Sequence, residues 1–405
     1  MKLTRGRVAI LGAGIMGASL AIMMARLGCA VTLFDKEDEP LSCASRWNEG
    51  KIHLGYLYGA DPSMRTARHV IPGGLRFGKL ISQLLDEDLR PHTTPADDVY
   101  LVHRRSVVDA QTLSGTFRKV DALLREHPDA SQYLVDVSKA GSVRLSRAEL
   151  AAMTDSDDIV AGFRVPERSV DTQWIADRMV EVVRSEPNIS LRMRSKILSA
   201  TPTDGIEGQW RVAAETGRET FDVVVNCLWE GRLAIDRLAG IEPSPGWSHR
   251  YRLSLFGGTG RPVDVVSSVI ALGPFGDIKN YDGRRFYISW YPTGLVAQSG
   301  ALTLAQPDEI AVNRRQFFVD EVRTEITRLI PDASRLFEAA QTIDIRGGFV
   351  FAQGQGSLSD LGATIHRRDL FGTARRGNYL SVDTGKYSTA PWLADMLAKQ
   401  LYGVG

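Results

Sequence analysis

The chain has 405 residues, and its 49 Lys plus Arg nearly cancel 48 Asp plus Glu, leaving a formal net charge of +1. That length exceeds the ~250–300 residues at which single cores stop growing, so two domains are expected, and the balanced charge excludes a basic field for nucleic acid or an anionic membrane. Three scattered cysteines, Cys29, Cys43 and Cys227, form no C-x-x-C pair and fit a reducing, cytoplasmic setting; no apolar stretch reaches the ~20 residues of a membrane span, and no metal site is expected.

Val8 to Leu11 read as a buried strand running into Gly12-Ala13-Gly14-Ile15-Met16-Gly17, a G-x-G-x-x-G. Helix-like sequence follows, then a second strand, Ala30 to Phe34, ending in Asp35. Each residue type has a task in holding a dinucleotide. Gly12 permits the turn, Gly14 admits a pyrophosphate to the backbone, and Gly17 lets helix and strand pack closely. The helix N-terminus offers free N–H groups to the phosphates, and Asp35 accepts from the ribose hydroxyls. Lys2, Arg5 and Arg7 before an apolar run also suit a signal peptide, but the spaced glycines and the lack of a small-residue cleavage site oppose that reading.

Ser42 to Tyr56 is a polar loop placed where the chain would cross the cofactor. Apolar residues recur at three and four across Arg76 to Leu85 and Gly115 to Arg125, predicting helices, and Ser146 to Glu149 carries a capping-box pattern. Val170-Asp171-Thr172 precedes an amphipathic helix, Trp174 to Arg184, followed by strands at Ile189 to Met193, Lys196 to Ser199, Gln209 to Val212 and Phe221 to Asn226. From Tyr251 the texture changes: Tyr251 to Gly257, Val263 to Leu272 and Phe286 to Tyr291 alternate as an antiparallel sheet does. A helix over Arg314 to Leu329 stops before Pro331. A strand at Asn378 to Asp383, a turn at Thr384 to Thr389 and a helix at Pro391 to Leu401 close the chain. Nucleotide-binding segments are therefore expected over residues 1–90, 160–245 and 345–405, with 91–159 and 246–344 forming a substrate domain.

Four blocks carry a family resemblance: the fingerprint through Asp35; the loop Ser45 to Lys51; Gly162 to Pro166 with Val170-Asp171, ending in Val223 to Asn226; and Tyr379 to Leu401. In this order they resemble the FAD-dependent oxidoreductases of the D-amino-acid oxidase, sarcosine oxidase and glycine oxidase superfamily. The resemblance implies an α/β fold, with a doubly wound, Rossmann-like FAD-binding domain and an interleaved substrate domain on a mixed, mostly antiparallel sheet. It implies ADP contacts from Gly12, Gly14, Ile15, Met16, Gly17, Asp35 and Lys36, and an adenine contact from the strand around Ile197. Ser45, Arg46, Asn48, Glu49 and Gly50 are implied to pass the pyrophosphate toward the flavin edge, with Lys51 near the ring. Gly385, Lys386, Tyr387, Ser388 and Thr389 are implied to face the flavin pyrimidine. Ser388 or Thr389 can cap the final helix with Pro391 in its first turn, which aims the helix N-terminus at the flavin N1–C2=O locus; an ordinary helix cap needs the same residues.

For substrate, Arg346 matches the family arginine that forks a carboxylate, although glycine follows where proline is usual; a structural salt bridge is the alternative. Lys51 can stabilise reduced flavin or superoxide, or be solvated, and His53 can take a substrate proton or bond within its loop. Tyr281, Trp290 and Tyr291 fall where the family places aromatics over the flavin, and equally suit a core. Cys43 precedes the polar loop, so a covalent flavin link through it is not expected, and Trp229 and Glu230 are bulkier than the family's small residues. The expected reaction removes a hydride beside an amine, less readily beside a hydroxyl, of a small amino acid or amine-like substrate, with dioxygen or another electron acceptor. The alternatives are an NAD-dependent 3-hydroxyacyl-type dehydrogenase, whose opening motif is similar, and a flavin-binding protein without turnover.

Overall fold

The computed structural model describes residues 6–139, 141–203, 208–308 and 310–402. Continuous apolar runs form the centre of a six-stranded sheet in the order Gly372–Arg376, Tyr379–Asp383, Val223–Asn226, Arg7–Leu11, Ala30–Phe34, Ile189–Arg192. All neighbours are parallel except the Gly372–Arg376 edge. Such runs suit a sheet buried on both faces, and the pleat divides them. Val8 and Ile10 pack into the core that holds the helices Ile15–Arg26 and Ala390–Tyr402, while Ala9 and Leu11 meet Trp210, Val212 and Phe221 of a three-stranded sheet on the other side.

Alternating segments build a second, nine-stranded sheet around the long strand Ser248–Thr259, which pairs with Arg285–Trp290, Leu295–Ser299 and Ala340–Ala352. It is antiparallel except where Ser268–Ala271 lies parallel to Asp98–His103. Phe318, Val322 and Ile326 of the helix Val312–Leu329 cover its apolar face.

Several expectations shift. Ile159–Val165 and Ala340–Ala352 join the larger sheet and so run across the positions, 160 and 345, where boundaries were expected. An alternating segment is a strand in whichever sheet offers it a partner, and that partner lies far along the chain. Val263 to Leu272 is a strand only over Ser268–Ala271, because Asn280 Nδ2 bonds the carbonyls of Val263 (2.9 Å) and Val265 (3.1 Å) in place of a ladder. The helix expected from Arg76 starts at Arg65 and continues through Pro72. Gly73 and Gly74 explain why it tolerates so poor a helix sequence: a Cβ there would lie 2.7 Å from Thr389 Cγ2 and 2.2 Å from the His53 carbonyl. The capping box acts as read, and Asp171 proves to cap the helix it precedes. Ser146 and Glu149 form the reciprocal box, and the Asp171 carboxylate accepts from the Gln173 and Trp174 amides at 3.0 and 3.1 Å.

The fingerprint is packed to its limit, since a Cβ on Gly17 would stand 1.9 Å from the Gly12 carbonyl oxygen. Gly17→Ala is expected to lower stability by about 1–3 kcal/mol through overpacking; calorimetry showing an unchanged Tm would contradict this contact.

Candidate active site

A cavity of about 670 Å³ opens between the two sheets, lined at one end by Gly12, Gly14 and Asp35 and at the other by Lys51, Arg252 and Lys386. The first end is a backbone cradle. Gly12 is left-handed (φ +99°), and a Cβ on it would lie 2.7 Å from the Cys227 carbonyl. Gly14 is the N-cap of the first helix and carries no side chain to close it, while Ser45 Oγ accepts from the Ile15 amide at 2.9 Å. Ile15 and Met16 complete the lining there. Asp35 accepts from Ala13 N (2.6 Å) and Glu37 N (3.0 Å), and burial pushes its carboxyl above the usual range against those bonds. Lys36 pairs with Glu230 at 2.8 Å, so the bulky Trp229-Glu230 turn forms a wall of the cavity. Ile197 lines the same end.

The polar loop divides its labour. Ser45, Asn48, Glu49 and Lys51 line the cavity, while Arg46 turns away to Asp177 at 2.6 Å. Asn48 braces the loop by donating to Ala44 O (2.9 Å) and accepting from Gly50 N (2.9 Å). Gly50 is left-handed (φ +65°) and pressed against the Val170 carbonyl, where a Cβ would sit at 2.0 Å.

At the far end Gly385 (φ +64°) donates its amide to Asp383 Oδ1 at 2.8 Å, and Asp383 meets Arg232 at 3.2 Å. Gly385, Lys386 and Tyr387 line the cavity, with Ser388 and Thr389 buried outside its lining. Thr389 corrects the capping expectation: its Oγ1 donates to the Thr384 and Lys386 carbonyls, so it closes a 3₁₀ turn over Tyr387–Thr389, and the helix begins at Ala390.

Lys51 is neither solvated nor free. Its Nζ lies 2.5 Å from Asp98 Oδ2, which Lys279 also meets at 2.6 Å, and all three side chains are buried. Glu167, 3.8 Å from Lys51, accepts from Tyr100 Oη and the Leu54 amide, each at 2.6 Å. Burial depresses the Lys51 ammonium, but Asp98 and Glu167 outweigh it and raise it above its ordinary value; burial wins at Lys279, brought down to about 8. His53 lines the cavity with Nδ1 unpartnered, and burial together with Lys386 and Lys51 keeps its ring neutral.

Besides Lys51, the cations Arg252, Arg368 and Lys386 face this end. Arg250 and Arg252 share a strand face and flank Tyr291, Arg250 donating to its Oη at 2.7 Å and Arg252 lying 4.5 Å from its ring centre. Burial, then Arg368, brings Lys386 down to about 7, and burial, then Arg250, brings Arg368 down to about 10. Burial lifts Glu49, but Lys386 and Arg252 overcome it and hold the carboxyl below its usual range. Arg346 is exposed, 5.4 Å above the Trp47 ring and outside the cavity lining. Tyr291 stands behind the arginines, Trp290 belongs to the core of the large sheet, and Tyr281 donates to the Glu49 carbonyl at 3.3 Å. Asp98, Glu167, Lys279, Arg252 and Arg368 escaped the sequence reading, because a charge in an alternating strand or a loop reads as a solvent-facing residue.

The family described as DAO, FAD dependent oxidoreductase, matches residues 7–350. The chain belongs to this family. FAD is its cofactor, and the side-chain-free cradle at Gly12 and Gly14 beside Asp35 fits the ADP half of that molecule. This match, with the strand-rich second half, sets aside the NAD-dependent reading. Among solved structures, glycine oxidase from Geobacillus kaustophilus is similar at 13% identity and a TM-score of 0.69, covering 98% of this chain and 95% of its own. Iminodiacetate oxidase from Chelativorans sp. BNC1 has 18% identity and a TM-score of 0.67 over the same shares of the two chains. L-proline dehydrogenase from P.horikoshii has 13% identity and a TM-score of 0.65, covering 98% of this chain and 94% of its own. At these identities the likeness is one of fold. No curated protein matches the sequence. No helix among the described residues is long and apolar enough to cross a membrane.

Asp98→Asn removes the shared counter-charge of two buried lysines and is expected to cost about 3–5 kcal/mol. Urea unfolding of the purified variant measures this, and a loss below about 1 kcal/mol contradicts the network's role.

Proposed function

We propose that this oxidoreductase removes a hydride from a C–H bond beside an amine in a small substrate whose acid group rests on Lys386 and Arg252. The observation that carries the reading is the pairing of these cavity-facing cations with a neutral, unpartnered His53 at one end of the cavity, next to the Gly385 turn. FAD, when bound, supplies the two-electron acceptor. The chain supplies position and proton handling. Lys386 and Arg252 orient the acid group, and the neutral imidazole of His53 takes a proton from the substrate ammonium, because only the free amine has the lone pair that drives hydride loss. The carboxylate role that resemblance gives Arg346 passes to the neighbouring strand: Arg252 sits opposite Gly348 in the ladder, and that glycine leaves room for Ala44, only 2.7 Å from where a Cβ would stand. Free Cys29, Cys43 and Cys227 support a cytoplasmic location.

The decisive experiment is anaerobic mixing of the FAD-loaded protein with a panel of amino acids and secondary amines. Loss of the visible flavin bands with one of them supports the reading; a panel without effect, together with bleaching by 2-hydroxy acids, overturns it.

Lys386 also sets a pH dependence. An acid bound beside it raises its pKa above the free value of about 7. Below pH 7 the ammonium is already formed and affinity is flat; above it, binding takes up a proton, so the Kd of a carboxylate inhibitor should rise by up to about tenfold per pH unit. Spectral titration against pH checks this, and Lys386→Met should flatten the profile.

A further inference from the structure

Positive charge near the His53 end of the cavity exceeds what the fold neutralises. The buried cations Lys51, Lys279 and Arg232 each meet a carboxylate, at 2.5, 2.6 and 3.2 Å. Arg250, Arg252, Arg368 and Lys386 do not: among the described residues none has a carboxylate oxygen within 4.0 Å. The Nε atoms of Arg250 and Arg252 are buried without any hydrogen-bond partner. Arg368 spends one Nη1 bond on the Phe351 carbonyl at 3.3 Å.

Groups facing the four from each surrounding element account for two carboxylates. Glu49 of the polar loop is one, and Asp277, bonded to Ser289, is the other. Asp98 and Glu167 are taken by Lys51 and Lys279, while Arg232 meets both Asp383 and Asp236, at 3.2 and 3.3 Å, so one carboxylate of that pair also offsets the four. The remaining neighbours His53, Tyr58 and Tyr287 are neutral, and Tyr291 accepts from Arg250. At least one positive charge is left over, and the three of these cations that line the cavity, Arg252, Arg368 and Lys386, have no carboxylate oxygen within 4.0 Å among the described residues; unpaired guanidinium N–H groups out of water cost several times an ordinary hydrogen bond. That cost is tolerated at a site where a ligand brings the missing charge. The arrangement is also preorganised, because Tyr291 fixes Arg250 through its hydroxyl and Arg252 through its ring, so little side-chain entropy is lost when an anion arrives.

We infer that the substrate is a dianion: an amine carrying two acid groups, one on Lys386 and Arg252 and the other held by the forked donors of Arg368. The amine in this statement rests on the function proposed above; the double negative charge rests on the cation cluster alone. Guanidinium forks suit planar carboxylates and tetrahedral phosphonates alike, so the second group is an oxyanion of either kind.

The test uses the FAD-loaded protein and ligands that cannot be oxidised, at fixed ionic strength. Acetate and propionate are compared with malonate, succinate and glutarate, and phosphonoacetate separates the two oxyanion types, all by perturbation of the visible flavin bands. At least one dianion should bind about tenfold or more tighter than its monocarboxylate counterpart. Arg368→Gln should erase that advantage, whereas Arg252→Gln should weaken mono- and dianions alike. Equal Kd values for mono- and dianions in the unmutated protein overturn the inference, whatever the variants do. Tight dianion binding with no amine able to bleach the flavin leaves it standing and removes only the amine chemistry.

Discussion

The Asp98 carboxylate, out of water and shared by two lysines, is the interaction around which the molecule is organised. Lys51 comes from the loop that follows the fingerprint, Asp98 and Lys279 from two strands of the large sheet, and Glu167 from the turn that ends a third. Desolvating these charges is expensive, and the cost is offset only when all of them arrive in register. The cluster therefore fixes the polar loop against the substrate sheet. Everything that faces the cavity from that loop, Glu49 and His53 included, takes its position from this join.

Close backbone approach does the rest. Gly50 rests on Val170, Gly74 on the carbonyl of His53 and Gly73 on Thr389, each at a distance that excludes a side chain. These contacts bring the loop, the Arg65–Leu85 helix and the Gly385 turn to one cavity although they lie far apart in the chain. Hydrogen bonds from Asn48 and Asp383 then hold the turns themselves.

Much of the nucleotide half was legible in the sequence because its signals are local. An apolar run, three glycines at fixed spacing and an acid after the second strand specify one βαβ unit, and on the substrate side Ser146 and Glu149 announce their helix in the same local way. The rest of the substrate side was not legible in the same way. Arg250, Arg252 and Lys279 alternate with apolar neighbours as solvent-facing residues do, and only the second sheet edge and the crossing loop show that their face is enclosed. Arg346 failed differently. It lies opposite Ser254, at the border of the cavity, but its long side chain settles on the Trp47 ring instead. Pro72-Gly73-Gly74 hid about three turns of helix because tertiary contact there overrides propensity.

The order of strands in the smaller sheet has a consequence for biosynthesis. Tyr379–Asp383 completes hydrogen bonding along Val223–Asn226, which in turn flanks Arg7–Leu11, so the interior of the nucleotide domain waits for residues made long after its first strand. Vectorial folding of an isolated amino-terminal unit is thereby denied to this chain. Its early segments emerge with a strand edge that stays open until Tyr379–Asp383 has been made.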